Sequence, residues 1–360
     1  MKEICIDARM AFSSGIGTYI RNMVSQLRKE PFKLRLITSQ AVLDKWPDLT
    51  QIDLILTSAP VYSIEEQIKL PLIVPSCDLF WTPHYNTPMF PLRARKRLTT
   101  IHDVYHLAFG KTLGFSRQFY ARVMMNRAVN ISDHILTISH FSKDEIIKYT
   151  AASREKISVV HLGVDQSHFF CKADDVLQST IRKKYQLPQN YFIFVSNLAP
   201  HKNIHRLLQA WDILLEEFLD WGLVLVGKKG KEIFDHRLLN RKEVLLLGQI
   251  CDQDLPVLYQ LAYAAIHPSI YEGFGLTPLE AFSCGCPAVV SKAASLSEVC
   301  GDCAIYIDPY DIQDIVAGLR KMIQDRALHS QLKKRGLERS LHFTWEKTAR
   351  EHVKILNQLA

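Results

Sequence analysis

The chain has no run of eighteen uncharged apolar residues, so no membrane-spanning helix is expected. It also lacks the basic-then-apolar leader of a secreted protein. Met1-Lys2-Glu3-Ile4-Cys5-Ile6-Asp7 enters a strand pattern at once, and a cytoplasmic location is expected. No low-complexity segment or short-period repeat is present, which argues against fibrous and solenoid architectures. Zinc-finger spacing, the aromatic ribonucleoprotein motif and a basic zipper are all missing, so nucleic acid is not an expected partner. Cysteine is present eight times, but a chain of 360 residues needs no disulfide staples. Cys5, Cys77, Cys171 and Cys251 are scattered. Cys284, Cys286, Cys300 and Cys303 have a spacing that also suits zinc, yet they flank an apolar strand, Pro287 to Val290, and a short helix. Reduced, buried thiols are the reading adopted here.

What is present suits a globular protein of about two domains, with 48% hydrophobic and 22% charged residues. The net charge of +7 is uneven: residues 1–170 hold 21 Lys and Arg against 15 Asp and Glu. The excess gathers at Arg93, Arg95, Lys96 and Arg97, then at Lys111, Arg117, Arg122 and Arg127. Two readings stand, a solvated surface or a face for an anionic membrane or a phosphorylated substrate.

Short apolar runs alternate with amphipathic helical stretches. The first series is Glu3–Asp7, Leu34–Thr38, Asp53–Thr57, Asp78–Thr82, Leu98–His102, His134–Ser139 and Ile157–Leu162. The second is Tyr191–Ser196, Gly222–Gly227, Glu243–Gly248, Ala264–Pro268, Ala288–Ser291 and Ala304–Asp308. Continuous apolar strands separated by helices predict parallel sheets covered on both faces, here an α/β chain of two doubly wound, Rossmann-like domains. The polar stretch Asp165 to Asn190 shows no strand and reads as the linker. The expected domains are 1–170, with a terminal helix 343–360 packed back on it, and 171–342. Ligands bind such sheets at the carboxyl ends of the strands, and in a two-domain version those ends can face one another.

The candidate residues fall at those ends. Glu272 and Glu280 lie in Pro268-Ser269-Ile270-Tyr271-Glu272-Gly273-Phe274-Gly275-Leu276-Thr277-Pro278-Leu279-Glu280-Ala281, a strand–turn–helix run. Thr277, Pro278 and Glu280 also read as N-cap, first helical residue and capping-box glutamate, so Glu280 has both a cap reading and a site reading. Gly15 and Gly17 follow the first strand, where a backbone approaches a phosphate or simply turns. They lack the third glycine of a dinucleotide fingerprint. His102 ends the fifth strand, as a substrate contact or a structural group. Trp81 to Pro88 is another polar and aromatic strand end, an acceptor pocket or a Pro-bounded loop. Lys202, in Ser196-Asn197-Leu198-Ala199-Pro200-His201-Lys202-Asn203, is placed to neutralise a diphosphate or to stand in solvent.

Together these motifs resemble the retaining glycosyltransferases of the GT-B fold, specifically glycosyltransferase family 4, over nearly the whole chain. The strongest stretch is Pro268 to Ala281 followed by Cys284-Gly285-Cys286-Pro287. Leu198 to Asn203, His161-Leu162-Gly163-Val164-Asp165, Ile138 to Ser142, Ile101-His102-Asp103 and Ser297 to Asp302 are also similar. The resemblance implies that Glu280 grips the nucleotide ribose. Glu272, with the amides around Phe274 and Gly275, would hold the donor sugar. Lys202 and the helix start at Leu276–Thr277 would meet the diphosphate, with Gly15 and Gly17 beside the phosphates or acceptor and His102 beside the reacting sugar. The chain departs from the family at Asn197, where many members carry an arginine, which leaves more to Lys202 with His201 or Arg206. It departs again at Thr277, where proline is common.

The implied reaction moves a hexose, with mannose favoured, from a GDP- or UDP-sugar to a saccharide or lipid-linked acceptor with retention. Cell-surface polysaccharide or glycolipid synthesis is the expected setting. No metal or other cofactor is expected, because the lysine and the helix dipole would supply positive charge. The alternatives are a GT-B epimerase or phosphorylase, an NAD-dependent dehydrogenase, which the incomplete glycine fingerprint opposes, and a silent binding protein.

Overall fold

The computed structural model describes residues 1–110, 115–172, 174–227, 239 and 241–360. Thirteen strands are present among them. The first seven are β1 Lys2–Asp7, β2 Phe32–Thr38, β3 Asp53–Leu56, β4 Cys77–Thr82, β5 Ala94–Thr100, β6 His134–Thr137 and β7 Ile157–Val159. They form one sheet in the order β3-β2-β1-β4-β5-β6-β7, parallel throughout. The rest are β8 Asn190–Val195, β9 Trp221–Val226, β10 Val244–Gly248, β11 Ala264–His267, β12 Ala288–Ser291 and β13 Ala304–Ile307. These form a second parallel sheet, ordered β10-β9-β8-β11-β12-β13. Central strands such as β11 and β12 are buried at every residue, which is why they read as unbroken apolar runs. In each sheet the order reverses once, between β1 and β4 and between β8 and β11.

The chain divides into two compact units, residues 1–162 with 345–360, and residues 163–344. The divide falls before residue 170, because Val164 pairs with the far end of its own unit. Its N–H donates to Phe343 O at 3.0 Å, and it bridges Thr344. The expected linker contains a helix, Asp175–Lys184, capped by the Asp174 carboxylate on Leu177 N. Only Ile181 of that helix is buried, so little apolar periodicity marked it. In unit 1 the terminal helix Trp345–Leu359 lies on the helix Ser14–Leu27, and Tyr19 Oη meets His352 Nε2 at 2.6 Å.

The basic cluster is more occupied than its sequence suggested. Strand β5 begins at Ala94, so Arg95, Lys96 and Arg97 lie within it. Arg97 donates to Pro88 O at 2.9 Å and to Phe90 O at 2.5 Å, Arg127 to Met89 O at 3.0 Å, and Lys96 to Asp133 at 2.8 Å. Lys111 and the side chain of Arg117 lie outside the described residues. Cys284, Cys286, Cys300 and Cys303 are buried, and burial raises all four thiol pKa values.

Leu356, fully buried in the terminal helix, tests the assignment of that helix to unit 1. Leu356→Ala should cost about 3 kcal/mol. A urea titration followed by hydrogen exchange should show the loss in residues 1–162 and leave 163–344 unchanged.

Candidate active site

Unit 2 brings two of the expected residues into direct contact at its strand-order reversal. Lys202 follows β8 and Glu272 follows β11. The Lys202 ammonium donates to both carboxylate oxygens, at 2.7 and 2.8 Å, and Ser269 Oγ adds a bond of 2.8 Å to Oε1. The pair is mostly shielded, with side-chain exposures of 18% and 16%. Burial alone would raise the Glu272 pKa, but the Lys202 charge and its hydrogen bonds hold it below the ordinary value.

Other residues fix that geometry. Asn203 takes the left-handed conformation, φ +62°, at the start of the helix Ile204–Leu214. Its buried amide donates to Pro268 O at 3.0 Å and Pro309 O at 2.6 Å, and Ile270 N donates to His201 O at 2.7 Å. The Lys202 loop is therefore laced to the loop carrying Glu272. Ser295 Oγ bonds Glu272 O at 2.9 Å and Phe274 O at 2.7 Å from the other side. Neither Asn203 nor Ser295 had a role from the sequence, because each works through carbonyls remote in the chain. Arg206, a candidate charge for the diphosphate, is engaged with Asn203 Oδ1 at 3.0 Å. Asn197 is exposed, and its Oδ1 accepts from Ala199 N at 3.3 Å.

The helix after Glu272 starts earlier than expected. It spans Leu276–Ser283, with Gly275 as N-cap at φ +113° and no side-chain cap. That φ suits glycine, and an added Cβ would also meet Leu296 at 2.8 Å. Thr277 and Pro278 are thus inside the first turn, where a missing proline N–H costs nothing. The capping-box reading of Glu280 fails, because Glu280 lies beyond the first turn. Phe274 is buried against Phe343, so its side chain is core and only its backbone borders the loop. Glu280 has no hydrogen-bond or ion partner among the described residues. Burial, and secondarily the charge of Asp252, push its pKa up to about 7.

That aspartate belongs to Asp252-Gln253-Asp254, an Asp-x-Asp spacing that the metal-free expectation passed over. Asp254 is tied to Lys184 and to Tyr185 Oη, each at 2.6 Å. His267, also missed, ends β11 with its ring buried. Burial lowers its pKa to about 4, so it is neutral at pH 7. A cavity of about 480 Å³ lined by Asn190, Trp221, Tyr263 and His329 lies where β8 and β9 begin, at the opposite edge of this sheet.

Unit 1 holds the remaining candidates. Gly15 and Gly17 lie in the first turn of the helix Ser14–Leu27, whose N-cap Ser13 makes no side-chain cap bond. A Cβ at Gly17 would sit 2.6 Å from Ala11 O, whereas one at Gly15 would meet nothing within 4 Å. Packing therefore requires the second glycine only. His102 lies two residues beyond β5, half-buried, with Nε2 2.9 Å from Pro83 O. The carbonyl only accepts, so Nε2 carries the proton. Burial lowers the His102 pKa and keeps the ring neutral.

With the geometry established, comparison with known proteins identifies the family. The model for "Glycosyltransferase Family 4" matches residues 13–168, and that for "Glycosyl transferases group 1" matches 178–339. O-antigen chain mannosyltransferase B of Escherichia coli is 30% identical over 92% of this chain and 93% of its own. The chain belongs to glycosyltransferase family 4. This glycosyltransferase is also 28% identical to O-antigen chain mannosyltransferase RfbU of Salmonella typhimurium, over 73% of this chain and 70% of that one. Its fold is GT-B. The Anabaena protein HepE, crystallised with UDP-glucose, superimposes with a TM-score of 0.82 over the full length of both chains at 19% identity. Among the described residues of the transferase no helix is long and apolar enough to cross a membrane.

The perturbed glutamate makes stability pH-dependent in a defined sense. Between pH 4.5 and about 7 the folded state binds more protons at Glu280 than the unfolded state, so wild-type stability falls as pH rises through that window. Glu280→Gln should match the wild type near pH 4.5 and exceed it by about 1–3 kcal/mol above pH 7. Denaturation midpoints across that range check both the sign and the window.

Proposed function

We propose that the transferase moves mannose from GDP-mannose to a saccharide or lipid-linked hydroxyl, with retention of configuration and without a metal. The Lys202–Glu272 pair carries this reading, with the names of the mannosyltransferase relatives in support. An ammonium has three N–H donors. Glu272 takes two of them and leaves the third for an oxygen of the departing diphosphate. Among the described residues Glu272 Oε2 accepts only from Lys202, which leaves a lone pair for a donor-sugar hydroxyl. The N–H groups at Leu276 and Thr277 lack intrahelical partners, and the helix dipole there favours a phosphate. Glu280, ionised, offers two acceptor oxygens to the paired hydroxyls of a ribose.

In this proposal the transition state places growing negative charge on the leaving phosphate and positive charge on the sugar ring. A fixed ammonium lowers the barrier because it needs no reorganisation as that charge develops. The leaving phosphate takes the acceptor's proton, so no separate general base is required. The same cation stands in for a metal at the diphosphate.

Lys202→Ala should lower kcat/KM at least 100-fold, a loss of about 2.7 kcal/mol. Turnover at the wild-type rate would remove the charge-neutralising role, and loss of transfer in EDTA would remove metal independence. A thermal-shift panel of GDP, UDP, ADP and their sugars tests the donor. GDP-mannose should give the largest shift, and a response to UDP-sugars alone would overturn that choice. Because the Glu280 anion is the form that binds, nucleotide affinity should weaken as pH falls below about 7, and Glu280→Gln should flatten that dependence.

A further inference from the structure

Unit 1 contains an ionic network that the proposed chemistry does not use. Asp7 ends β1, and its carboxylate is held by Arg9 through bonds of 2.9 and 2.7 Å. Arg9 also donates to Ala59 O at 3.0 Å and to Glu66. Asp7 and Glu66 are fully buried, and Arg9 nearly so. His84 Nε2, on the loop after β4, lies 3.4 Å from Asp7 Oδ2. Glu66 accepts from the Asn86 amide, whose Oδ1 in turn accepts from Tyr120 Oη at 2.6 Å.

The outer end of this network is a strained tyrosine. Glu66 Oε2 accepts from Tyr62 N at 2.8 Å. Tyr62 has φ +65°, a left-handed conformation that a non-glycine residue keeps only where its surroundings enforce it. Tyr62 is 42% exposed, and its ring lies 5.8 Å from that of Tyr85, which lies 6.0 Å from that of His106. Asp103 follows β5, and its Oδ1 accepts from Tyr105 N, the neighbour of His106, at 2.9 Å. Tyr62 lies after β3, Tyr85 after β4, and Asp103 and His106 after β5, with His106 in the short helix Tyr105–Ala108, all at the carboxyl edge of the sheet.

We propose that Tyr62, Tyr85, His106 and Asp103 form a saccharide-binding subsite, and that Arg9 and Glu66 are positioning residues that hold Tyr62 in place. This rests on the transferase reading and names residues for its acceptor. A pyranose has an apolar C–H face and a rim of hydroxyls. The exposed Tyr62 and the part-buried Tyr85 and His106, with Asp103 three residues before His106, offer both features. The segments 57–63, 83–88 and 101–109 contain no Lys or Arg; Arg93, at the far end of the loop between β4 and β5, lies outside them. With Asp103 present, they are unsuited to a phosphate or an anionic headgroup, so the occupant is a neutral sugar.

The probe is α-1,2-mannobiose, followed by saturation-transfer NMR, with GDP thermal shift as an independent readout of unit 2. Wild type should bind the disaccharide. Tyr62→Ala should weaken that binding about tenfold and Tyr62→Phe less than twofold, while the GDP shift stays unchanged in both. His106→Ala, which leaves the strained loop alone, should also weaken binding of the probe, so the subsite remains testable if Tyr62→Ala misfolds. A wild-type protein that responds to GDP but shows no saturation transfer overturns the subsite, as does Tyr62→Ala binding like wild type. A wild-type protein that responds to no nucleotide overturns the transferase reading on which the subsite rests.

Discussion

The structure depends on one constraint, that an all-parallel sheet covered on both faces has almost no place for a polar side chain except at the strand ends. In the second sheet β11 and β12 are buried residue by residue, and an uncompensated charge within them would be costly. Chemistry is therefore confined to the loops, and the reversal of strand order decides which loops diverge enough to admit a ligand. Lys202 and Glu272 stand on either side of the β8/β11 reversal, and Asp7 and His84 on either side of the β1/β4 reversal. Each unit thus places charge at its own reversal, Asp7 in the first and the Lys202–Glu272 pair in the second.

The strands were legible in the sequence for that reason. All thirteen apolar runs overlap strands; in β11 and β12 continuous burial leaves an uninterrupted apolar signature, whereas no residue of β3 is buried and its Leu54-Ile55-Leu56 run alone marked it. The helix start after Glu272 was not legible. Thr277-Pro278-Leu279-Glu280 has the spacing of a capping box, yet Gly275 reaches φ +113° and starts the helix two residues before Thr277. Local preference gave way to a loop pinned by Ser295. Glu66 shows the opposite failure. Ser63-Ile64-Glu65-Glu66 also reads as a capping box, and Ser63 does cap the helix on Glu66 N. The glutamate carboxylate, however, turns inward to an arginine 57 positions away. No local pattern announces a partner that distant. Asn203 was hidden similarly, since both of its acceptors are backbone carbonyls of other segments.

Burying ions is unfavourable unless every charge is met with good geometry, and the two units meet that demand differently. In unit 1 one guanidinium serves two carboxylates. Burial would raise the Asp7 pKa, but the neighbouring Arg9 holds it far below the usual carboxylate range, while burial leaves Glu66 raised. The guanidinium fork is rigid and almost wholly enclosed, which suits an internal brace. In unit 2 the cation is an ammonium, compact and partly open to solvent, and it retains a donor beyond those its carboxylate uses. A brace needs all of its hydrogen bonds satisfied within the protein, whereas a ligand site needs some left open.

That contrast also bears on what each unit can recognise. In the proposed subsite the segments after β3, β4 and β5 present Tyr62, Tyr85, His106 and the Asp103 carboxylate, while Asp7, Arg9 and Glu66 are buried, so an uncharged hydroxylated ligand gains from stacking and hydrogen bonds. At the β8/β11 reversal stand a mostly shielded ammonium, a helix N-terminus and, within that helix, Glu280, which has no hydrogen-bond or ion partner among the described residues. In the proposed function those features discriminate charge and hydroxyl geometry together, as a sugar joined to a nucleoside diphosphate requires. In the proposed reading donor and acceptor are told apart by where each unit leaves its charge, and the Arg9–Glu66 contact contributes by holding Tyr62 in place.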